Sequence, residues 1–196
     1  MQLKFAIPAI CIFLQSAICF AQKNKKTPGL FFQSITGFGT VSGESETAPQ
    51  FQITNGLKYK TYFAGISVGL DIYYRTSLPL SIDLRKNIFA RPRTPFVYLK
   101  AGINFPLQKE KESSLLISQQ NGLYYDIGAG YNLCLNKSNA LQFSAGYSFK
   151  AFSEKKYNPG VMILSVWPPP PNYIEEYQYR LKRISVKVGW SFSLKI

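Results

Sequence analysis

The amino-acid sequence predicts an all-β protein, an eight-stranded antiparallel up-and-down β-barrel that crosses a membrane. Three features predict this fold: an apolar amino-terminal segment, alternation of apolar and polar residues with period two, and the absence of charge from the apolar face of the strands. A length of 196 residues suggests one domain. The chain has no histidine, which excludes Ser-His-Asp catalysis, Cys-His catalysis and His-ligated zinc.

The first 21 residues have the pattern of a secretory signal peptide. Lys4 precedes an apolar run from Phe5 to Phe20, and Cys19 and Ala21 are small residues at the −3 and −1 positions of the expected cleavage site. The alternative is an uncleaved membrane anchor, for which the run is short of the roughly 20 residues that a spanning helix needs. We therefore expect residues 1–21 to direct export and to be removed.

The remaining chain divides into a short tail and one domain. Residues 22–28 are rich in lysine and are expected to form a periplasmic tail, while residues 29–196 are expected to form the barrel. Only Cys134 remains after removal of the signal, so the mature chain forms no internal disulfide.

Eight segments of the predicted domain show the alternation of a β-strand. They are residues 29–40, about 50–54 with its flanks, 62–74, 78–84, 97–105, 123–135, 141–151 and 184–196. An even number of strands is what a closed antiparallel barrel requires when both termini lie at one end.

The connections between these segments also alternate in length. The gaps at 41–49, 106–122 and 152–183 are long and fall at one end of the barrel, and the gap at 75–77 is a short exception. Turn residues occupy the gaps at the other end, namely Asn55-Gly56, Pro92, Pro95 and residues 136–139. We expect the long loops to be extracellular and both termini to be periplasmic.

The polar face of the strands carries the clearest candidate site. Its charged members are Asp71, Asp83, Arg85, Lys100, Asp126, Lys150 and Lys187. A Lys or Arg facing lipid near mid-bilayer would cost about 2–4 kcal/mol, so these side chains are expected inside the barrel, as a structural network of ion pairs and hydrogen bonds. A transport or catalytic constellation is the alternative, and a soluble lipocalin-like barrel with an apolar interior is the rival fold.

Recurring strand motifs add a family resemblance. Ala129-Gly130-Tyr131-Asn132 and Ala145-Gly146-Tyr147-Ser148 resemble strands of the small outer-membrane β-barrel proteins of Gram-negative bacteria, the porin-like group. The carboxy-terminal strand is similar to the assembly signal of that group, which Lys187, Gly189, Phe192 and Leu194 match. The resemblance implies outer-membrane lipid and the barrel-assembly machinery as partners.

The segment 153–183 is the most individual part of the chain. Trp167, Tyr173 and Tyr177 flank or follow the polyproline run Pro168–Pro171, and an aromatic outer loop of this kind is a candidate for binding an extracellular ligand. An equally open interpretation is that the segment extends the last hairpin above the membrane.

These features together predict a non-enzymatic, monomeric outer-membrane protein with a structural or binding role through its outer loops. No cofactor and no metal are expected, and the formal net charge of +13 is assigned to separated compartments of the chain and not to nucleic-acid binding. The functional alternatives are a narrow porin-like channel, a lipid-modifying enzyme of the outer membrane and a soluble lipocalin-like carrier.

Overall fold

A computed structural model describes residues 29–107, 116–136, 138–157 and 174–196. The predicted signal peptide, the lysine-rich tail and the polyproline run lie outside these ranges. The described residues form nine strands: β1 (Leu30–Gly43), β2 (Thr47–Tyr59), β3 (Tyr62–Asp71), β4 (Ser77–Asn87), β5 (Arg93–Pro106), β6 (Leu116–Gln120), β7 (Gly122–Cys134), β8 (Asn139–Tyr157) and β9 (Ile174–Lys195).

Eight of these strands close into a barrel. Each pairs antiparallel with its neighbours in the order β1, β2, β3, β4, β5, β7, β8, β9, and β9 returns to β1 with Phe31 opposite Lys195. The short strand β6 pairs with β8 beyond the end of β7, and Asn121 separates β6 from β7. The predicted eight-stranded antiparallel barrel is confirmed.

The two faces of the barrel wall have opposite polarity. The interior carries buried polar and charged side chains, among them Asp83 and Asp126. The exterior carries apolar side chains, and Ile66 and Ile184 are 63% and 64% exposed. A lipocalin-like carrier would have the reverse arrangement, because its apolar residues line the interior.

The first strands differ from the prediction in length. The expected long gap 41–49 is a turn of residues 44–46, because β1 continues to Gly43 and β2 begins at Thr47. The mixed faces of β1 arise because Ile35 points into the barrel, whereas Phe38 on the other face is 61% exposed.

Asn55-Gly56 was expected at a turn, and this expectation is wrong. Both residues lie within β2, and the turn is formed by Lys60 and Thr61, with Lys60 at a φ of 54°. Glycine is needed at position 56 for another reason: a Cβ there would lie 2.2 Å from the carbonyl oxygen of Ala64 on β3.

The last hairpin is longer than predicted. Residues 152–157 belong to β8 and residues 174–183 to β9, with Phe152 opposite Tyr179 and Glu154 opposite Tyr177. The prediction of a loop across 152–183 is therefore wrong at both ends, and the alternative, an extension of the last hairpin, is confirmed for residues 152–157 and 174–183, because alternating polar and aromatic residues continue the two strands.

The connections define two ends of the barrel. We call the end with the turns at 60–61 and 88–92, where β7 ends at Cys134, the turn end; β1 begins and β9 finishes there. The opposite end, which includes the turn at 44–46 and the strands β6, β8 and β9 that rise above it, is the loop end.

Candidate functional site

All seven charged residues predicted for the polar face lie inside the barrel, where they form two clusters. The upper cluster, nearer the loop end, contains Asp71, Lys150 and an additional residue, Arg183. The lower cluster, nearer the turn end, contains Asp83, Arg85, Lys100, Asp126 and Lys187.

The upper cluster is centred on one carboxylate that has two cationic partners. Arg183 Nη1 donates to Asp71 Oδ2 at 2.6 Å, and Lys150 Nζ donates to Asp71 Oδ1 at 3.2 Å. Lys150 Nζ also lies 2.7 Å from the carbonyl oxygen of Tyr73 and 3.0 Å from that of Arg75. The ammonium group is therefore surrounded by oxygen, which compensates for its removal from water.

The lower cluster has two carboxylates and three cations. Arg85 donates to Asp83 from Nε at 3.0 Å and from Nη2 at 2.7 Å, and Lys100 Nζ lies 3.4 Å from the same carboxylate. Lys187 Nζ donates to Asp126, whose other oxygen accepts the Tyr98 hydroxyl at 3.0 Å.

Tyr124 is fully buried at the centre of the barrel and lies opposite Lys150 of the upper cluster on the neighbouring strand. The side-chain amides of Gln50 and Gln52 donate to its hydroxyl oxygen at 3.3 Å and 3.0 Å. Its hydroxyl is 3.5 Å from Asp126 Oδ2. These bonds extend the network of the lower cluster from β7 to β2.

Among the described residues, one cavity lies beside this network and another lies below it at the turn end. One of about 30 Å³ lies beside the lower cluster and is lined by Gly37, Gly189 and Lys187 among others. The second, about 280 Å³, lies at the turn end and is lined by residues such as Lys58 and Asn132.

Sequence reasoning missed two buried charges, Arg183 and Glu154, because both fall in the segment expected to be a loop. Both side chains are fully or almost fully buried, with exposures of 1% and 0%. Glu154 accepts a contact from Arg75 Nε at 3.3 Å and a hydrogen bond from Gln119 at 3.1 Å. The signal was present, since Arg183 continues the inward alternation of Ser185 and Lys187.

An aromatic group covers the barrel at the loop end. The rings of Phe152 and Tyr179 stack at 4.8 Å, and Tyr74 lies 5.2 Å from Tyr179. Burial and a hydrogen bond with Tyr74 raise the pKa of Tyr179 to about 12. This group closes the upper end of the network below the projecting strands.

The predicted binding residues of the outer segment have different outcomes. Trp167 and Tyr173 lie outside the described residues. Tyr177 lies in β9 and not in a loop; it is 42% exposed and its hydroxyl donates to Glu175. The structure therefore presents Tyr177 on a strand above the barrel.

The residues of the predicted assembly signal, Lys187, Gly189, Phe192 and Leu194, lie together on β9, the strand that closes the barrel against β1. Cys134 lies at the end of β7 as a free, half-buried thiol. In the described ranges, no group of three or more Cys, Asp or Glu residues is placed to hold a metal ion. No α-helix long and apolar enough to span a bilayer occurs within the same ranges.

Several solved structures that resemble this barrel are outer-membrane proteins. The barrel is similar to outer membrane protein OprG from Pseudomonas aeruginosa (TM-score 0.57, 9% identity, 86% of this chain and 97% of that chain covered). It is also similar to neisserial surface protein A (TM-score 0.53, 9% identity, 86% and 99% covered) and to outer membrane protein AlkL (TM-score 0.53, 13% identity, 90% and 95% covered).

The chain has the fold of the small outer-membrane β-barrels. No protein-family model matches the sequence, and no curated protein matches it. The likeness is therefore one of fold, and it confirms the predicted resemblance at that level.

Proposed function

We propose that this protein is an integral, non-enzymatic barrel of the bacterial outer membrane that acts through surfaces at its loop end. The observation that carries the proposal is the inverted polarity of the wall: charged side chains fill the interior and apolar side chains cover the exterior. Soluble monomeric proteins rarely expose so large a contiguous apolar surface, because contact of apolar side chains with water is unfavourable.

The apolar exterior has the height of a bilayer. On β3 and the residue after it, the exposed face runs from Tyr62 through Ile66 to Ile72, which is close to the 9–11 residues of a tilted membrane-spanning strand. At the turn end this face ends at cations and aromatic rings: Lys86 Nζ lies 5.2 Å from the Tyr62 ring. Such a border is typical of a membrane interface.

The filled interior supports a structural role for the lumen. Asp71, Tyr124 and Lys150 are fully buried, and their side chains cross the space between the strands. The cavity beside the lower cluster, about 30 Å³, has room for one or two water molecules. A narrow porin-like channel would need these ion pairs to separate during passage of a solute.

The loop end supplies a surface for a binding role. Above the barrel, β6, β8 and β9 form a three-stranded sheet that carries Glu176, Tyr177 and Arg180 as exposed side chains. We propose that extracellular ligands bind on this sheet and on the segment that connects β8 to β9.

Cell fractionation and gel migration test the location. The full chain, produced in a Gram-negative host, is expected in the outer-membrane fraction, and the unheated barrel is expected to run faster on a denaturing gel than the heated chain. Recovery in the soluble fraction, with migration unaffected by heating, would overturn the proposal and favour the lipocalin-like carrier.

Cysteine labelling in intact cells tests the orientation. In a Cys134→Ser background, Gln178→Cys on the projecting sheet should react with an impermeant maleimide, whereas Lys60→Cys at the turn end should react only after the outer membrane is opened. The reverse pattern would contradict the assignment of the loop end to the cell surface.

Planar-bilayer recordings separate the structural role from the channel. The filled lumen predicts no stepwise conductance from the purified barrel. Reproducible steps that change when Lys100 or Asp126 is neutralised would establish the narrow channel instead.

A further inference from the structure

Three pairs of glycines face each other across neighbouring strands and point into the barrel. They are Gly56 with Gly65 between β2 and β3, Gly128 with Gly146 between β7 and β8, and Gly37 with Gly189 between β1 and β9. A glycine pair leaves a bare patch of backbone, which a large neighbouring side chain normally covers.

Two of the pairs are covered in this way. A Cβ at Gly65 would lie 2.9 Å from the ring of Phe63, and a Cβ at Gly146 would lie 2.3 Å from the hydroxyl oxygen of Tyr98. Backbone oxygens approach these glycines as well, at 2.6 Å from a Cβ at Gly65 and 2.5 Å from a Cβ at Gly146, so glycine is required there by the partner strand and by the aromatic side chain.

The third pair is open. A Cβ at Gly37 would have its nearest neighbour at 3.8 Å, and one at Gly189 would have its nearest at 3.6 Å, both ordinary contact distances. Both glycines line the cavity of about 30 Å³. The surrounding atoms therefore do not require glycine here, and its effect is to keep the cavity.

Positive charge converges on this cavity. Arg85, Lys100 and Lys187 all line it. Only two carboxylates, Asp83 and Asp126, form ion pairs with these cations within the described part of the chain. The lower cluster thus carries one buried positive charge in excess, which is unfavourable without a compensating anion.

Hydrogen-bond donors are also available. Lys187 Nζ has three N–H groups, and among the described residues its one hydrogen bond goes to Asp126. Arg85 Nη1 carries two N–H groups, of which one donates to Gln142 Oε1 at 2.6 Å. The hydroxyl of Ser144 lines the same cavity.

The upper cluster carries the same excess of one positive charge. It has one carboxylate fewer than its cations, but Lys150 Nζ contacts the carbonyl oxygens of Tyr73 and Arg75, and the Arg183 guanidinium lies 5.3 Å from the Tyr73 ring. Oxygen dipoles and a ring face compensate for its charge. In the lower cluster Lys100 donates to Gln52 Oε1 and Ser67 Oγ, and the Arg85 guanidinium lies 5.7 Å from the Phe96 ring. Lys187 Nζ has Asp126 and the Tyr98 ring at 5.4 Å as neighbours, and it also borders the cavity.

We propose that the cavity between the Gly37–Gly189 pair and Lys187 is a binding site for one small monovalent anion of the halide class. A cavity with room for one or two water molecules is suited to a monatomic ion of similar size. A bound anion would neutralise the excess positive charge of the lower cluster. This site is separate from the proposed binding role of the loop end and does not depend on it.

Bromide scattering locates such an ion directly. Crystals of the full barrel grown in sodium bromide should show an anomalous peak in the cavity, within hydrogen-bond reach of Lys187 Nζ. Bromide peaks on the surface with none in the cavity would overturn the proposal.

A matched variant shows whether the cavity itself is responsible. The double variant Gly37→Ala/Gly189→Ala adds two methyl groups in the cavity and leaves every charge in place. In wild type, replacing gluconate by chloride at constant ionic strength should raise the melting temperature by about 3 °C or more once chloride is tenfold above its Kd.

The double variant should lose this chloride effect and the bromide peak. If the variant does not fold, the single variant Gly189→Ala gives the same two measurements. A chloride effect or a peak that persists in the filled barrel would contradict the site.

Discussion

The upper and lower clusters of the lumen are two solutions to the same electrostatic problem. Each has one cation more than it has carboxylates, and each lies in the interior of a membrane barrel. Around Lys150 the protein supplies four oxygen atoms, including two backbone carbonyls from the β3–β4 turn. Around Lys187 it leaves a cavity over a glycine pair.

The difference teaches that a filled lumen need not be uniformly rigid. The upper cluster draws its ligands from backbone atoms that cannot move without opening a turn, so its geometry depends on the fold around it. The lower cluster depends on side chains next to a small volume that water or an ion is able to enter. Substitutions in the two clusters should therefore have different costs.

Asp71→Asn should cause the largest loss of stability. Removing this charge leaves Lys150 and Arg183 buried without a carboxylate, and breaking a buried ion pair in this way costs about 3–5 kcal/mol. Urea titrations that follow the folded and unfolded bands on a gel measure the free energy of unfolding. Asp83→Asn is the matched control in the lower cluster and should cost less, since Arg85 is 12% exposed and lies beside the cavity. Equal losses would remove the distinction between the clusters.

Two alanine substitutions at glycine pairs should have effects of opposite sign. Gly146→Ala forces the Tyr98 hydroxyl away from Asp126, and overpacking of this kind costs about 1–3 kcal/mol. Gly189→Ala should leave the stability unchanged or raise it by up to about 1 kcal/mol, because its Cβ meets only ordinary contacts and the unfolded chain loses freedom. Both free energies of unfolding are measured by the same urea titration in gluconate. A loss of stability at Gly189 as large as that at Gly146 would show that neighbouring atoms already fill the space over the Gly37–Gly189 pair.

Much of this interior could be predicted from the sequence, because the period of two has a physical cause on both faces. Within the bilayer a charge on the outer face is excluded, so the alternation in residues 141–151 and 184–196 identifies the inward positions. The structure places Lys150 and Lys187 inside, as the alternation predicts.

Outside the lipid, charged residues are no longer excluded from the outer face of a strand. The alternation of apolar and polar residues then no longer identifies the inward positions. Polar residues occur on both faces of β9 near the loop end, as with exposed Lys182 beside buried Arg183, and this hid Arg183 in an apparent loop. Glu154, on the projecting part of β8, was hidden in the same way. Asn55-Gly56 misled for a related reason: the dipeptide typical of a tight turn is also the one that allows close approach of two strands. Whether Asn-Gly forms a turn or lies within a strand depends on contacts with the neighbouring strand. The local sequence alone does not specify those contacts.

Glu176→Gln should change the free energy of unfolding least of these substitutions. It tests an exposed ion pair outside the barrel, for comparison with the buried pairs of the lumen. Glu176 pairs with Lys155 at 3.8 Å on the projecting sheet, where both side chains are exposed, 44% and 38% respectively. Water and salt screen such a pair, so its loss should change the free energy of unfolding by at most about 0.5 kcal/mol, and less in high salt. If Glu176→Gln lowered the free energy of unfolding nearly as much as Asp71→Asn in the same urea titration, burial would not explain the larger contribution of the ion pairs in the lumen. Lys155→Met, which removes the other partner, should give the same small value if the pair and not one side chain is measured.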